Sequence, residues 1–303
     1  MKKYFRLLPV LLLFLLLAVD AGAAAQGARR GLSVCAASLA PSLFPFFVLS
    51  DLLSSLGLAD LLAGLLGGAA ERLFRVSGAG AQAFFLGVTG GYPLGASAVA
   101  RLRRDGRISR AEGEHLAAFC NNSGPAFILG AAGGILRSPR AGFLLYAAHV
   151  LAALCVGLLF RPKVRPAGDK HEKSPALPFS RALPAAVAAA LAATLSVCGY
   201  VVLFSALLAM LPGLDALPPL PRALLTGFVE LGSGIGALAG LAPTPPVLAA
   251  AALMLGWGGL SVHAQTLGAL ADTDIKCARH LAGRALCGLL AALFTYAGAI
   301  LLQ

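Results

Sequence analysis

Thr89-Gly-Gly-Tyr-Pro-Leu-Gly-Ala96 interrupts a segment, residues 77–100, that is otherwise apolar and dense in glycine, with Gly78, Gly80, Gly87, Gly90, Gly91 and Gly95. A straight helix facing lipid cannot carry Gly-Gly-Tyr-Pro. Proline removes a backbone donor, and the freed carbonyls find no water in hydrocarbon. Such a break is tolerated where protein covers it or where it lines a cavity. The stretch therefore reads as the tip of a re-entrant helical hairpin in an all-α polytopic membrane protein.

Composition agrees. Hydrophobic residues make up 58% of the 303-residue chain, charged residues 12%, and mean hydropathy is +0.84. A soluble domain needs about 25% charged residues to cover its surface. The apolar runs approach the ~20 residues that cross a hydrocarbon core of about 30 Å. The ten-residue alternation of a membrane barrel is absent. A soluble enzyme, a secreted disulfide scaffold and a disordered chain are thereby excluded. The net charge is +11, from 24 Lys and Arg against 13 Asp and Glu. These bases sit in short loops between spans, as the positive-inside rule requires, and no basic patch interleaved with aromatics points to nucleic acid. The cysteines, Cys35, Cys120, Cys155, Cys198, Cys277 and Cys287, lie mostly within apolar spans, where they act as small hydrophobes. Cys277 and His280 form one Cys-x-x-His with no second half-site, short of the four ligands of structural zinc. No metal or cofactor is expected.

The same reading extends along the chain. Lys2, Lys3 and Arg6 precede an apolar run from Leu7 to Val19. This pattern fits a signal peptide or a first transmembrane helix with its amino terminus inside, and the membrane domain that follows favours the helix. Residues 31–56 form a second span that Pro41 and Pro45 should kink or interrupt. Residues 58–77 are amphipathic and suit the membrane interface. Arg101 to Arg110 is the clearest cytoplasmic loop. The next helix, opening with Glu112, Glu114 and His115, is broken by Asn121-Asn-Ser-Gly-Pro125 and continues to Leu136. Phe143–Phe160 is a plain span. In the second half, residues 182–211 are a span, 222–241 a glycine-dense hairpin around Glu230, and 246–270 a span interrupted near Gly256-Trp-Gly-Gly. Asp272 to Arg284 is a charged loop, and 285–302 the last span.

About seven spanning helices and two re-entrant hairpins result. The domains are an amino-terminal anchor at 1–30, a first repeat at 31–160, a basic cytoplasmic linker at 161–181 and a second repeat at 182–303. The halves match element by element with opposite orientation, the inverted-repeat plan of secondary transporters. Arg29, Arg30, Arg137 and Arg140 then fall outside, against the positive-inside rule.

In such a plan, broken helices meet near the midplane and offer N–H groups and dipole ends to anionic solutes. The candidate solute-binding residues are Gly90, Gly91, Tyr92, Pro93 and Gly95; Asn121, Asn122, Ser123, Gly124 and Pro125; Ser233 and Gly234; and Ser261, His263 and Gln265. Glu230, the one carboxylate deep in a span, is the candidate ligand for a coupling proton or cation, since an intramembrane acid is costly unless it is used or capped by a helix end. His149 is read as structural. Gly232, Gly236 and Gly240, at spacing four, are read as a close-packing helix face rather than a dinucleotide fingerprint, since no strand precedes them. No catalytic pair stands at useful spacing, so the chain is not expected to be an enzyme.

Pro-Ser-Leu-Phe-Pro-Phe at 41–46, Gly-Tyr-Pro-Leu-Gly-Ala at 91–96, Asn-Asn-Ser-Gly-Pro-Ala-Phe-Ile at 121–128 and Ser-Val-His-Ala-Gln at 261–265 resemble the sporulation integral membrane protein YlbJ family. That family carries the nucleoside-recognition Gate domain, a relative of the membrane parts of concentrative nucleoside transporters. Where the family usually follows Gly-Ala with Lys, this chain has Ser97. The resemblance implies a permease in the outer forespore membrane of a spore-former, moving dipicolinic acid. Its partners would be a small anion and lipid, and a homo-oligomer is compatible with it. A non-transporting scaffold for the spore cortex or envelope, or a nucleoside transporter, are the alternatives.

Overall fold

The computed structural model describes residues 7–163 and 177–302. The basic amino terminus and most of the 161–181 linker lie outside the described residues, which are helical and contain no strand.

α1 (Leu8–Val19) ends at Asp20, whose carboxylate accepts from the Ala23 amide at 2.9 Å and so caps the start of α2 (Ala21–Val34). α2 continues through a π-helical turn, Cys35–Leu39, into α3 (Ala40–Ser55), giving one helical run from Ala21 to Ser55. The break expected near residue 30 thus falls at Asp20. The prolines do not interrupt the run either. Pro41 and Pro45 lack the N–H that would bond one turn back, and the wider π turn directly ahead takes up the mismatch. The Ser42 hydroxyl donates to the carbonyls of Ser38 and Leu39 there.

α4 (Leu58–Phe74) leads to the first hairpin, α5 (Gly78–Gly90) and α6 (Leu94–Arg104). α7 (Arg110–Phe119) stops, residues 121–124 are non-helical, and helix resumes at Pro125 as a π turn, Ala126–Ala132, running into α8 (Gly133–Ile135). α9 (Pro139–Leu159) closes the first half. The second half comprises α10 (Phe179–Ala209), α11 (Pro219–Val229), α12 (Leu231–Gly236), α13 (Pro245–Trp257), α14 (Gly259–Leu270) and α15 (Ala278–Leu301).

Among the described residues, five runs are long and apolar enough to cross a membrane: Ala21–Ser55, Pro139–Leu159, Phe179–Ala209, Pro245–Leu270 and Ala278–Leu301. α1, at 12 residues, and the broken run of α7 and α8 are the other two spans of the sequence reading. Large apolar side chains such as Leu65, Leu159 and Leu195 face outward, as a lipid-facing surface requires.

Contacts fix the directions. α10 packs antiparallel to the Ala21–Ser55 run: Gly27 lies against Ser205 and Ala206, Gly31 against Val202, and the Cys35 thiol meets the Cys198 carbonyl. The Leu177 amide donates to the Ser55 carbonyl at 3.0 Å, Arg75 to the Pro162 carbonyl at 2.8 Å, and Arg103 pairs with Asp274 at 2.8 Å. One end of the bundle thus collects the basic loops; Arg30, Asp215 and Arg222 lie at the other. The twenty residues between Arg30 and Asp51 carry no charge and span about 30 Å of helix, a hydrocarbon thickness. The first hairpin enters from the basic end and the second from the opposite end. Likewise α7 and α8 run away from the basic end, and α13 and α14 run toward it.

Candidate functional site

Each hairpin is closed by glycines facing each other below its tip. In the first, a Cβ on Gly87 would lie 3.2 Å from the Gly95 Cα, and both glycines abut the Cys120 carbonyl. In the second, a Cβ on Gly234 would lie 2.2 Å from the Gly227 Cα. The pair that packs is therefore Gly227 with Gly234, across the turn. Gly236 and Gly240 face open space, and a Cβ on Gly232 would meet only the Glu230 carboxylate, at 3.3 Å, and the Val34 side chain, at 3.5 Å, so these three do not form the close-packed face read from their spacing.

Each tip also rests on the break of a neighbouring helix. Gly91, at φ +85°, lies against Gly124 in the non-helical stretch after α7. Gly259, at φ +80°, lies against Leu231 and Val229 at the second tip. These left-handed conformations exclude ordinary side chains. Trp257 stacks on Phe228 with ring centroids 5.0 Å apart, and its indole N–H donates to the Phe228 carbonyl, which fastens the second tip to the second break.

The two halves meet through Tyr92. Its hydroxyl crosses from the first tip to donate to the Leu255 carbonyl at 2.7 Å, in the last turn before the second break. The same oxygen accepts from Arg284 Nη2 at 3.0 Å, while Nη1 donates to Asn122 Oδ1 at 3.0 Å. Arg284 is 1% exposed and is among the largest fully buried side chains. In the sequence it closes a charged stretch, Asp272 to Arg284, expected to be a loop. Instead α15 begins at Ala278 and carries Arg284 two turns into the bundle.

The adjacent amides hold the break together. Asn121 Oδ1 accepts from the Ala96 amide at 3.3 Å, and its Nδ2 donates to Thr266 Oγ1 at 2.7 Å. Asn122 Nδ2 donates to the Phe119 carbonyl at 2.7 Å. The Ser123 amide donates to His149 Nε2 at 3.1 Å, so His149, like Thr266 and Arg284, belongs to the site although sequence alone did not place it there. Glu230, 1% exposed, accepts from the amides of Gly232 at 3.0 Å and Ser233 at 2.6 Å and caps α12. His263 Nδ1 lies 3.0 Å from His280 Nε2, and its ring packs edge-on to Trp257. His280 Nδ1 faces the Ala117 carbonyl, which only accepts, so in the neutral pair His280 Nδ1–H donates there and His280 Nε2 accepts from His263 Nδ1–H.

A cavity of about 40 Å³ lies between the tips and breaks. Of the sequence candidates, Tyr92, Ser123, Gly124, Glu230, Ser261 and Gln265 line it, with Leu39, Leu43, Val197 and Val201 as apolar walls. Buried, unpartnered Ser123 Oγ and Gln265 Oε1 leave polar capacity there. Gly90, Gly91, Pro93, Gly95, Asn121, Asn122, Pro125, Gly234 and His263 form its scaffold rather than its lining, and the Ser233 hydroxyl turns away toward Ser205.

The Gate family, described as nucleoside recognition, matches residues 36–210. The chain is 32% identical over 310 residues to the sporulation integral membrane protein YlbJ of Bacillus subtilis (strain 168), covering 89% of this chain and 76% of that protein. No solved structure matches it.

Proposed function

Because the chain belongs to the family of the sporulation integral membrane protein YlbJ and carries a Gate domain, we propose that it is a secondary permease for a small anionic heteroaromatic solute, dipicolinate in the family's setting. Its place of action would be the outer forespore membrane. The observation that carries this reading is the cavity enclosed by two hairpin tips and two broken helices, one of each from either half. The opposite running directions of corresponding elements support an inverted repeat of the kind concentrative nucleoside transporters have, in which one half rocks against the other.

Chemistry supports the charge of the solute. Arg284 is a buried cation whose guanidinium bonds are to a phenol, an amide and a carbonyl. A carboxylate entering beside Tyr92 and Ser123 meets that positive field in a low-dielectric surround, where it acts strongly. Glu230, at the second tip, is the coupling group: loading it with a proton or cation compensates the second charge. The cavity is far below the roughly 300 Å³ of ordinary ligand sites, so solute entry requires a hairpin to move.

Trp257, the chain's one tryptophan, sits on the second break and reports that movement. Titration of the purified protein with dipicolinate should change Trp257 fluorescence saturably, and uridine should not. A saturable response to uridine alone assigns the site to a nucleoside.

A further inference from the structure

Two larger polar cavities flank the central one, at opposite ends of the bundle. The first, about 240 Å³, lies at the basic end between the last turns of α3 (Ser50, Asp51, Ser54) and the arms of the first hairpin (Gln82, Ser97, Arg101). The second, about 270 Å³, lies at the far end between the last turns of α10 (Ser205, Leu208) and the arms of the second hairpin (Arg222, Thr226, Ser233), with Arg30 on its rim. Each outer cavity is built from the end of a long span and the hairpin that follows it.

The same helix faces carry both kinds of cavity. On the first span, Leu39 and Leu43 line the centre while Ser50 and Ser54 line the outer cavity. Phe47 stands between them on that face, one turn from each, and is 1% exposed. The hairpin tip closes in beside it, for a Cβ on Gly90 would lie 3.1 Å from Ser50 Oγ. On α10, Val201 lines the centre and Ser205, one turn on, already lines the outer cavity. At the second tip, Gly232 lines the centre and its neighbour Ser233 the outer cavity. At this boundary stands a hydroxyl pair, Ser205 Oγ and Ser233 Oγ, 3.3 Å apart.

We propose that the three cavities are one interrupted solute path, whose outer chambers are entry sites for an anion and whose two gates are Phe47 at the basic end and the Ser205–Ser233 pair at the other. The inference rests on the permease reading and adds to it the route and the unequal closures. The gates differ in kind: an aromatic side chain fills one, and a polar contact one hydrogen bond deep forms the other. The polar gate is joined to the coupling group, since Glu230 holds the Ser233 amide at 2.6 Å. Loading Glu230 weakens its hold on that turn, so the gate loosens when the coupling proton or cation binds. Arg101 and Asp51, 4.0 Å apart, line one chamber, and Arg222 and Asp215, 3.6 Å apart, the other, so each presents a guanidinium whose carboxylate partner an incoming anion can replace.

The test places one reporter cysteine, Val201→Cys, in the full chain after its six native cysteines are replaced, and applies a charged, membrane-impermeant methanethiosulfonate to one face and then the other. Ser205→Ala with Ser233→Ala should raise the labelling rate at least about tenfold from the Arg30 face only. Phe47→Ala should do the same from the Asp51 face only, and Phe47→Leu, which keeps the core better filled, should give a smaller rise from that face. Unchanged rates, or equal rises from both faces, overturn the gate assignment. Solute uptake is measured on the same proteoliposomes. Uptake without the labelling pattern rejects the gates and keeps the permease; the labelling pattern without uptake of any tested anion keeps the water path and rejects the permease.

Discussion

Arg284 Nη2 and the Tyr92 hydroxyl lie 3.0 Å apart although 192 positions separate them in the chain. One sits two turns into the last helix, the other at the first hairpin tip, and the Leu255 carbonyl accepts from the same hydroxyl. This junction holds the two halves in register at the centre of the bundle. A hydrogen bond to a charged group contributes about 1.5–3 kcal/mol, and removing one partner leaves the other buried and unpaired. Tyr92→Phe should therefore destabilise the protein by about 1–3 kcal/mol, measured as a lowered unfolding midpoint in detergent. Arg284→Lys should not restore what Arg284→Gln loses, because an ammonium cannot reach Asn122 and Tyr92 as the fork does.

The hairpin glycines separate packing from helix propensity. A Cβ at Gly87 would lie 1.6 Å from the Cys120 carbonyl oxygen, and one at Gly95 would lie 2.1 Å from it. Gly87→Ala and Gly95→Ala should yield little folded protein by fluorescence size-exclusion chromatography. Gly134 is helical with open space at its Cβ position, so Gly134→Ala should be neutral or stabilise by up to about 1 kcal/mol.

Glu230 caps α12 and is the coupling group of the proposed permease. Losing a cap costs about 0.5–2 kcal/mol, so Glu230→Ala should lower the unfolding midpoint measurably, while Glu230→Gln retains one accepting oxygen and should lower it less. Uptake driven by an imposed ion gradient should fall by at least about tenfold in both variants. Full gradient-driven uptake by Glu230→Gln would remove Glu230 from coupling.

The loop contact at the basic end sets a pH dependence. The Arg103 guanidinium bonded to Asp274 holds its carboxyl below the usual carboxylate range. A carboxylate whose folded pKa is depressed stabilises the fold above its unfolded pKa, and that contribution is lost as pH falls through the folded value. In thermal scans the stability difference between wild type and Asp274→Asn should stay constant between pH 5 and 8 and shrink only below about pH 4, the unfolded Asp value. Convergence at neutral pH would dissociate the pair from stability.

Much of this arrangement was legible in the sequence because proline, glycine and amides are conspicuous in apolar runs. Gly91-Tyr-Pro93, Asn121-Asn-Ser-Gly-Pro125, Glu230 and the Gly258–Gly259 pair each mark a real break. What was not legible depends on partners distant in the chain. Asn121 and Asn122 look like solute ligands, yet they bond to Ala96, Thr266, Phe119 and Arg284. His149 gains its role from Ser123, 26 positions away. Arg284 follows a charged stretch and looked like its end, since only the helix start at Ala278 turns it inward. The glycine spacing at 232, 236 and 240 suggested one helix face, whereas the contact runs across a turn, from Gly227 to Gly234.

The measurement that bears most directly on the permease assignment is uptake of labelled dipicolinate into proteoliposomes holding the purified protein, with uridine and protein-free liposomes alongside. The account predicts saturable dipicolinate uptake above the protein-free level that unlabelled dipicolinate competes away and uridine does not. Protein that is folded by size exclusion and takes up neither solute would contradict it.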